Sequence, residues 1–380
     1  MVKRTVENLL ANGIDEIILI HSPGEREKFE RELSGLPIKI EYVPQNEPKG
    51  TGDAIKLALE FINSDFLALN SAHEDSEESL RALIAGDTDK LKLLVSESTR
   101  PWEYAVVESI GEDIKRLVEK PARGSEPSNL RTVGLYFLPE KFKEYIKRAP
   151  EGPHSLIEAF NLYTQDLGAK AVKIEQEPAS IKYAFDLIDA ITQFTNKQTR
   201  DFCPRAKISD KASINGAVVV GEGTEIMENA VVHGPAYIGK NCRIGNNVVI
   251  RENTVIEDGV VLGVNTEVKR SYIGSRTHIH SGYVGDSVIG EDCRIGAGFI
   301  TANRRLDRGN IKFLINGELV DSGKTYLGCV VGHDTKIGIN ASTMPGAIIG
   351  SNCIVGSGTE VSGAVESNTK IYTPKQIERG

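Results

Sequence analysis

The sequence contains no run of about 18 apolar residues and no apolar core near its N-terminus, which are the features of membrane-spanning segments and signal peptides. It also lacks an excess of basic residues, since 45 Lys and Arg stand against 53 Asp and Glu and the net charge is −8. Nucleic acid and anionic membranes both require a basic face. We therefore expect a cytoplasmic protein that binds neither of these partners.

Cysteine is scarce, with five residues in a chain of 380, and no two of them have the Cys-x-x-Cys spacing of redox or metal motifs. Four of them fall at small-residue positions of the repeat described next: Cys242, Cys293, Cys329 and Cys353. We expect packed thiols rather than disulfides or metal ligands. The length favours two domains over one.

The second half of the chain repeats with a period of six residues. From Ile208 to Val268 an aliphatic residue occupies every sixth position, and a small or β-branched residue precedes each by two, as Ala230 precedes Val232. A period of six fits neither an α-helix nor a hairpin. It is typical of a parallel β-helix, in which short strands stack on a three-sided prism with the aliphatic side chains inside.

The repeat falters in one region. Between Val268 and Ile295 the spacing mixes five and six, and a polar excursion follows over roughly residues 302–326. Regular spacing resumes at Val331 and continues to Val361. A solenoid that breaks its period and extrudes a basic loop favours a ligand site over a purely structural role.

Residues 1–200 show a different pattern. Apolar strand-like runs alternate with helical segments, which predicts an α/β domain on a mostly parallel sheet. A helix from Asp186 to about Thr199 is expected to close this domain, so the predicted domains are residues 1–200 and 201–380. The predicted strands are Glu16–Ile20, Ile38–Val43, Phe66–Asn70, Lys92–Ser96, Tyr104–Ser109, Val133–Phe137 and Ala171–Ile174.

Several segments of the first domain resemble sugar-1-phosphate nucleotidyltransferases, which implies a Rossmann-like fold. They are Val6–Ile14, Gln45 with Gly50–Ala54, Phe66–Asn70, Tyr104–Glu108 and Leu117–Pro121. The resemblance implies that Gln45, Gly50 and Thr51 read a nucleotide base. It also implies that Glu119 and Lys120 reach the sugar phosphate.

The first domain also departs from the pattern of that family. The sequence begins after the position of the family's first strand and Gly-rich loop, which cradles the triphosphate. Ser71-Ala72 stands where the family carries a Gly-Asp whose carboxylate holds Mg²⁺, and the second metal ligand falls at Ser180. Neither Ser nor Ala supplies a carboxylate oxygen. We therefore expect no Mg²⁺ site at Ala72 and no nucleotidyl transfer.

The absent strand lies centrally in the family's sheet, so two neighbouring strands should have unpaired edges. An upstream start codon would restore the loop but not the aspartate, and Glu74 and Asp75 are the only nearby carboxylates that could substitute for it. We expect the domain to be structural, oligomer-forming or regulatory.

The faltering region resembles the acetyltransferase half of bifunctional enzymes of the GlmU type, most closely the archaeal members. The resemblance covers the whole second domain and implies a left-handed parallel β-helix of hexapeptide repeats. Its motifs are His280-Ser281-Gly282-Tyr283-Val284-Gly285-Asp286, Gly296-Ala297-Gly298, Asn303 and the archaeal Asp321-Ser322-Gly323.

Three residues would carry the chemistry that this resemblance implies. His280 matches the general base that deprotonates an amine as it attacks a thioester, a task that suits imidazole near neutral pH; without the motif it would be a solvated turn residue. Tyr283 would hydrogen-bond the sugar phosphate or position the acceptor, or else be a half-buried corner aromatic. Asn303 matches the asparagine that contacts the acceptor or the acyl transition state.

The same resemblance implies the binding residues. The extruded loop offers Arg305, Arg308 and Lys312 to the sugar phosphate, because guanidinium and ammonium groups pair with phosphate dianions; each could instead be an ordinary charged loop residue. Acetyl-CoA, the expected co-substrate, would lie along the prism between neighbouring chains of a homotrimer. Its expected contacts are Gly298, His333 and Ser357.

Together the two resemblances predict acetyl-CoA-dependent N-acetylation of glucosamine 1-phosphate, galactosamine 1-phosphate or both, in the synthesis of UDP-N-acetyl-amino sugars. One alternative is a fully bifunctional enzyme that also has uridylyltransferase activity. The other is a non-catalytic subunit that regulates an active paralogue.

Overall fold

The computed structural model of this chain describes residues 2–70, 77–85, 90–98, 100–175 and 181–373. The chain divides into two compact units, residues 1–180 and 181–380. Within the described ranges, every helix is too short or too polar to cross a bilayer.

The first unit is an α/β domain with helices on both faces of a sheet. The helices are α1 (Val2–Ala11), α2 (Arg26–Glu32), α3 (Thr51–Ala58), α4 (Glu77–Ile84), α5 (Phe142–Arg148) and α6 (Ser155–Leu167). The strands are β1 (Glu16–His21), β2 (Lys39–Pro44), β3 (Phe66–Leu69), β4 (Leu91–Glu97), β5 (Ala105–Ile110), β6 (Asp113–Glu119), β7 (Leu130–Leu138) and β8 (Ala169–Ile174). Alternate residues of β4 enter opposite cores, since Leu93 packs with α5 and α6 whereas Leu94 packs with α1 and α4.

The larger sheet of this unit has the strand order β3-β7-β4-β8-β6-β5. Only β4 and β8 are parallel, and every other pair in this sheet is antiparallel. The prediction of a mostly parallel sheet is therefore wrong. For β5 and β6 the physical reason is the short connection, since they are joined by a tight turn at Gly111, which has φ 60°, whereas a parallel connection needs a crossover of a dozen or more residues.

Strands β1 and β2 form a separate two-stranded parallel sheet. In the described part of the chain, no backbone ladder joins β1 to β3. Strands β1 and β3 nevertheless pack against the same two hydrophobic cores. Ile18 and Phe66 pack against one core, and Ile17 and Leu67 pack against the other. Among the residues that the structure describes, β1 and β3 therefore each have one unpaired edge.

The second unit is a left-handed parallel β-helix with three faces, as predicted. The first face consists of β9 (Asp201–Phe202), β12 (Val218–Val220), β15 (Ala236–Ile238), β18 (Thr254–Ile256), β21 (Tyr272–Ile273), β24 (Val288–Ile289), β29 (Cys329–Val331), β32 (Ala347–Ile349) and β35 (Ala364–Val365). The second face consists of β10 (Lys207–Ile208), β13 (Glu225–Ile226), β16 (Arg243–Ile244), β19 (Val261–Leu262), β22 (His278–Ile279), β25 (Arg294–Ile295), β30 (Lys336–Ile337), β33 (Ile354–Val355) and β36 (Lys370–Ile371). The third face consists of β11 (Ser213–Asn215), β14 (Val231–His233), β17 (Val249–Ile250), β20 (Thr266–Lys269), β23 (Gly282–Gly285), β26 (Phe299–Thr301), β31 (Ser342–Thr343) and β34 (Glu360–Val361).

The faltering of the repeat corresponds to shortened coils rather than to a break in the β-helix. In regular coils a residue pairs with one 18 positions later, as Ala236 does with Thr254. At the irregular steps the distance falls to 16, as between Tyr272 and Val288. Aliphatic side chains still point into the axis there, and Val284 is fully buried. The two residues that a 16-residue coil lacks are therefore missing from its corners and not from its strands.

The polar excursion contains a β-hairpin, formed by β27 (Lys312–Ile315) and β28 (Glu318–Asp321). Its apolar side chains pack on the outside of the first face, where the ring of Phe313 stacks 4.5 Å from that of Phe185. The excursion that the sequence predicted as a polar, basic loop is thus partly a structural element. Across it the ladder continues directly, since Val288 pairs with Val330.

Helix α7 (Leu187–Asn196) packs on the same outer face as the hairpin. Its buried residues Ile188 and Ile191 share a cluster with Val255 and Val288 of the β-helix. The structure therefore groups this helix with the second unit, and the boundary between the units lies at 180/181 rather than at the predicted 200/201. An amphipathic helix pattern gives the buried face of a helix but not the core that it buries against.

Candidate active site on the shortened coils

The shortened coils hold the three residues predicted to carry the chemistry. His280 directly follows β22, at the corner between the second and third faces, and its side chain is exposed. Tyr283 lies in β23, half-buried, and pairs with Glu267 on the preceding coil and Ile300 on the next. Asn303 lies two residues after β26, where the excursion begins. His280 and Tyr283 thus belong to one coil of the β-helix, and Asn303 lies on the coil that follows.

Tyr283 and Asn303 are in direct contact. The amide Nδ2 of Asn303 donates to the Tyr283 hydroxyl at 3.0 Å. Burial raises the pKa of Tyr283, and the nearby carboxylates of Asp286 and Glu267 raise it further, so the hydroxyl keeps its proton near neutral pH. The structure therefore assembles two of the three predicted residues into one hydrogen-bonded pair.

Asp286 anchors this pair, and the sequence prediction gave it no role. Its side chain is completely buried, and its backbone has a φ of 53°. One carboxylate oxygen accepts from Asn303 Nδ2 at 2.5 Å, and the other accepts from Arg270 Nε at 2.5 Å. Lys269 Nζ lies 3.7 Å from the same carboxylate. The sequence signal was present, because Asp286 closes the His280–Asp286 motif, but its partners lie one coil away on each side.

Cationic side chains surround the Tyr326 ring beside this anchor. Arg304 lies 4.5 Å from the ring centroid and Lys269 lies 5.4 Å from it, while Arg270 donates to the Tyr326 carbonyl at 3.2 Å. Arg270 has a φ of 41°, a left-handed conformation that it shares with other corner residues of the β-helix, such as Asn253 and Arg276. An open pocket of about 340 Å³ lies here, lined by Glu252, Asn253, Lys269, Arg270 and Tyr326.

A second histidine lies next to His280 without adding charge there. The ring of His278 lies 6.5 Å from that of His280, centroid to centroid. Burial lowers the pKa of His278, and the positive charge of Arg294 and the neighbouring His280 ring lower it further. His278 is therefore mostly neutral near pH 7.

The three predicted phosphate contacts lie in the excursion, where the structure does not gather them around Tyr283 and Asn303. The guanidinium of Arg305 forms a bidentate pair with Asp307. Arg308 occupies a turn with a φ of 62°. Lys312 is exposed at the start of the hairpin. Arg304, next to the predicted Arg305, is the arginine of this segment that reaches the Tyr326 ring.

The predicted acetyl-CoA contacts fall on two edges of the prism. Gly298 lies at the corner between β25 and β26, and Ser357 lies at the corner between β33 and β34, so both share the edge that carries His280. His333 lies on a different edge, between β29 and β30, where the Glu291 backbone N–H donates to its Nδ1 at 3.1 Å. Gly298 has a φ of 75°, which suits glycine at this corner.

In the first unit, the predicted nucleotide-reading residues lie at strand and helix ends. Gln45 follows β2, and its Nε2 donates to Asp53 at 3.0 Å and to the Gly50 carbonyl at 3.3 Å. Gly50 caps α3 with a φ of 110°, and Thr51 is the first residue of that helix.

The predicted sugar-phosphate pair follows the end of a strand. Glu119 ends β6, and Lys120 follows it with a φ of 40°, which is strained for a lysine. Several other residues of the sequence prediction lie outside the described residues: Ser71, Ala72, Glu74, Asp75 and Ser180.

Comparison with known proteins covers both units. Residues 1–178 match the nucleotidyl transferase family, and residues 217–252 and 328–363 match the bacterial transferase hexapeptide family (six repeats). A "Bifunctional protein GlmU" of Methanocaldococcus jannaschii is 32% identical over 96% of this chain and 88% of its own length. A "Bifunctional sugar-1-phosphate nucleotidylyltransferase/acetyltransferase" of Sulfurisphaera tokodaii is 30% identical over 95% of this chain and 89% of its own.

The matches to these relatives extend over both units and are not confined to the repeats. The resemblance inferred from the motifs is confirmed. This chain belongs to the GlmU-like family of bifunctional sugar-1-phosphate nucleotidylyltransferase/acetyltransferases.

Proposed function

We propose that this protein transfers the acetyl group of acetyl-CoA to the amino group of an amino-sugar 1-phosphate, either glucosamine or galactosamine 1-phosphate. The observation that carries the proposal is the Tyr283–Asn303 pair on the shortened coils, in the same turn as an exposed His280. Family membership supports a transferase with hexapeptide repeats.

In the proposed reaction the amine nitrogen bonds to the acetyl carbonyl carbon while His280 takes a proton from the nitrogen. The carbon–sulfur bond then breaks, and the departing thiolate of CoA takes up that proton. Tyr283 and Asn303 contact the acceptor and hold the amine at the thioester. No metal is required for these steps.

The phosphate of the sugar belongs, in this proposal, in the pocket beside Tyr326. Lys269 lines this pocket, and both Lys269 and Arg304 lie against the Tyr326 ring. Two cations suit a phosphate dianion. The pocket is linked to Asn303 through Arg270 and Asp286. The contributions of Arg305, Arg308 and Lys312 stay a prediction from the sequence.

A homotrimer is part of the proposal. Three large apolar side chains are exposed near His280: Val264 and Ile339 on its edge of the prism, and Ile300 on the adjoining third face. Apolar residues exposed on neighbouring coils favour an interface. Acetyl-CoA would then lie between copies along this edge, near Gly298 and Ser357, whereas His333 faces another edge.

The assay is thiol release from acetyl-CoA in the presence of each amino-sugar 1-phosphate. His280→Ala is expected to lower the rate by about 10²- to 10⁴-fold while the thermal transition is kept. His233→Ala, in β14 of the third face, is the matched control and should leave the rate unchanged. Absence of activity in the native protein would favour the regulatory-subunit alternative.

Full bifunctionality is the second candidate, and one observation favours it. Lys120 keeps a strained backbone beside Glu119, and strain persists only where the surroundings impose it. Against it stands the replacement of the metal-binding aspartate at Ala72. We expect no pyrophosphate release when the protein is incubated with UTP, Mg²⁺ and an N-acetyl-amino-sugar 1-phosphate. Release at a rate well above the uncatalysed one would establish the bifunctional alternative.

A further inference from the structure

Asp286 differs from the other charged corner residues of the β-helix by being buried. The next corner of the same two coils carries a similar pair, Arg276 and Asp292, which are 16 residues apart like Arg270 and Asp286. Both aspartates have left-handed backbones. The side chain of Asp292, however, is 36% exposed and bonds only to arginine, whereas that of Asp286 is fully buried and also bonds to Asn303. An Arg–Asp pair is thus a feature of these corners, but the link to an amide is particular to Asp286.

A carboxylate accepts hydrogen bonds and donates none. With Arg270 and Lys269 beside it, Asp286 is held as an ion pair. The atom of Asn303 that faces it must therefore be the NH₂ nitrogen and not the oxygen, since an amide oxygen there would oppose the carboxylate.

The orientation of the Asn303 amide determines where the hydroxyl hydrogen of Tyr283 can point. The Nδ2 of Asn303 donates to the Tyr283 hydroxyl as well as to Asp286, so the hydroxyl oxygen acts as an acceptor in that bond. Its own hydrogen is then available to donate elsewhere, and the Oδ1 of Asn303 is available to accept. The pair therefore offers a ligand one donor, on Tyr283, and one acceptor, on Asn303.

We propose that Asp286 is a positioning residue that sets this polarity, so that Asn303 accepts a hydrogen bond from the sugar's amine while Tyr283 donates to an oxygen of the substrates. The inference rests on the proposed acetyl transfer. An acceptor at the amine holds one N–H and directs the nitrogen lone pair toward the thioester, which serves the attack.

The substitution Asp286→Asn tests this directly because it keeps the shape. Arg270 Nε still requires an acceptor, so the new side chain turns its oxygen to Arg270 and its NH₂ to Asn303. Asn303 must then flip and present its own NH₂ to the substrate. We expect kcat/KM for the amino-sugar phosphate to fall on the order of 100-fold, with the KM for acetyl-CoA unchanged. Asp292→Asn removes the arginine-paired carboxylate at the next corner of the same coil and is the matched control, expected to keep full activity.

The exchange variant, Asp286→Asn combined with Asn303→Asp, separates positioning from a merely structural role. Its carboxylate at 303 accepts from the amide at 286 and from the Tyr283 hydroxyl and still offers an oxygen to the amine. The acceptor at 303 is thus restored, whereas Tyr283 donates to residue 303 in both variants, so we expect recovery of about tenfold over Asp286→Asn. Arg270 faces a neutral partner in both variants, so a role confined to the ion pair predicts no recovery. Asn303→Asp alone places its carboxylate against that of Asp286 and should be the least active of the three variants.

Three results would overturn the inference. One is an Asp286→Asn enzyme with more than half of the native kcat/KM; another is an exchange variant no better than the single one. The third is a native protein without acetyl transfer or amino-sugar phosphate binding by calorimetry, which refutes the proposed function and this inference with it. Native activity together with either of the first two results refutes the inference alone.

Discussion

The ring of Tyr283 lies across the backbone of Gly285, two residues further along the same strand. A Cβ atom added to Gly285 would lie 2.6 Å from Cζ of Tyr283 and 2.7 Å from its Cε1, closer than real side chains approach. Residues two apart project from the same side of a strand, so the absence of a side chain at Gly285 allows the tyrosine to reach Asn303.

Gly285→Ala should therefore displace Tyr283 without straining the backbone, because Gly285 is not among the glycines with positive φ. We expect kcat/KM for the amino-sugar phosphate to fall by about tenfold or more, since misplacement of a contact group by an ångström has effects of this size. Steady-state kinetics with both substrates measures it. Gly309→Ala is the control, because a Cβ there would make only ordinary contacts, the nearest 3.4 Å from Asp307 Oδ1. Equal activities of the two variants would contradict the prediction.

Two adjacent arginines should differ in their effect on phosphate binding. Arg304 lies against the Tyr326 ring beside the pocket, whereas Arg305 is occupied by Asp307 on the surface. Arg304→Gln is expected to raise the KM for the sugar 1-phosphate by about 10- to 100-fold, the worth of a charge-assisted hydrogen bond. Arg305→Gln should change it by no more than about twofold, since exposed ion pairs contribute little. The reverse order would support the sequence prediction of Arg305 as the clamp.

Phe313 should contribute much of the hairpin's attachment to the β-helix. Phe313 is buried and stacks on Phe185, so Phe313→Ala should destabilise the hairpin by about 3–5 kcal/mol. Hydrogen exchange across residues 311–327 should become markedly faster. Leu319→Ala alters an exposed residue of the same hairpin and should leave exchange unchanged. Equal protection in both variants would show that the hairpin is held by other contacts.

Thiol reactivity should distinguish one cysteine from four. Cys203 is half-buried, and the other four are buried. Burial raises the pKa of Cys242 to about 11 and also raises that of Cys293 and Cys329, so these thiols lack the reactive thiolate at pH 8. Ellman's reagent should titrate one thiol per native chain and five after unfolding. Raising the pH to 9 should not increase the native count, and Cys203→Ser should reduce it to zero.

The sequence predicted most of what depends on local spacing. The six-residue period located the β-helix, because each short strand places one aliphatic side chain inside the prism, as at Ile238 and Ile256. It could not predict that Phe313 packs on Phe185, or that α7 joins the second unit. Both contacts connect segments far apart in the chain whose apolar faces would fit several cores.

The candidate site divides in the same way. His280, Tyr283 and Asn303 were found because a motif carries them. Asp286, Arg270 and Lys269 were not assigned a role, because their function depends on which coil lies above which. That register follows from the 16-residue coils, and spacing alone did not show that shortened corners would bring Arg270 and Asp286 together.

The excursion interrupts the sequence but not the ladder, since Val288 pairs with Val330 as though nothing lay between them. The hairpin is consequently an insertion between two coils whose strands pair directly with each other. We expect that its length and charge can be altered without changing the register of the coils before or after it. Selectivity for one sugar phosphate over another could thus evolve in this insert, independently of the coils that hold His280 and Tyr283.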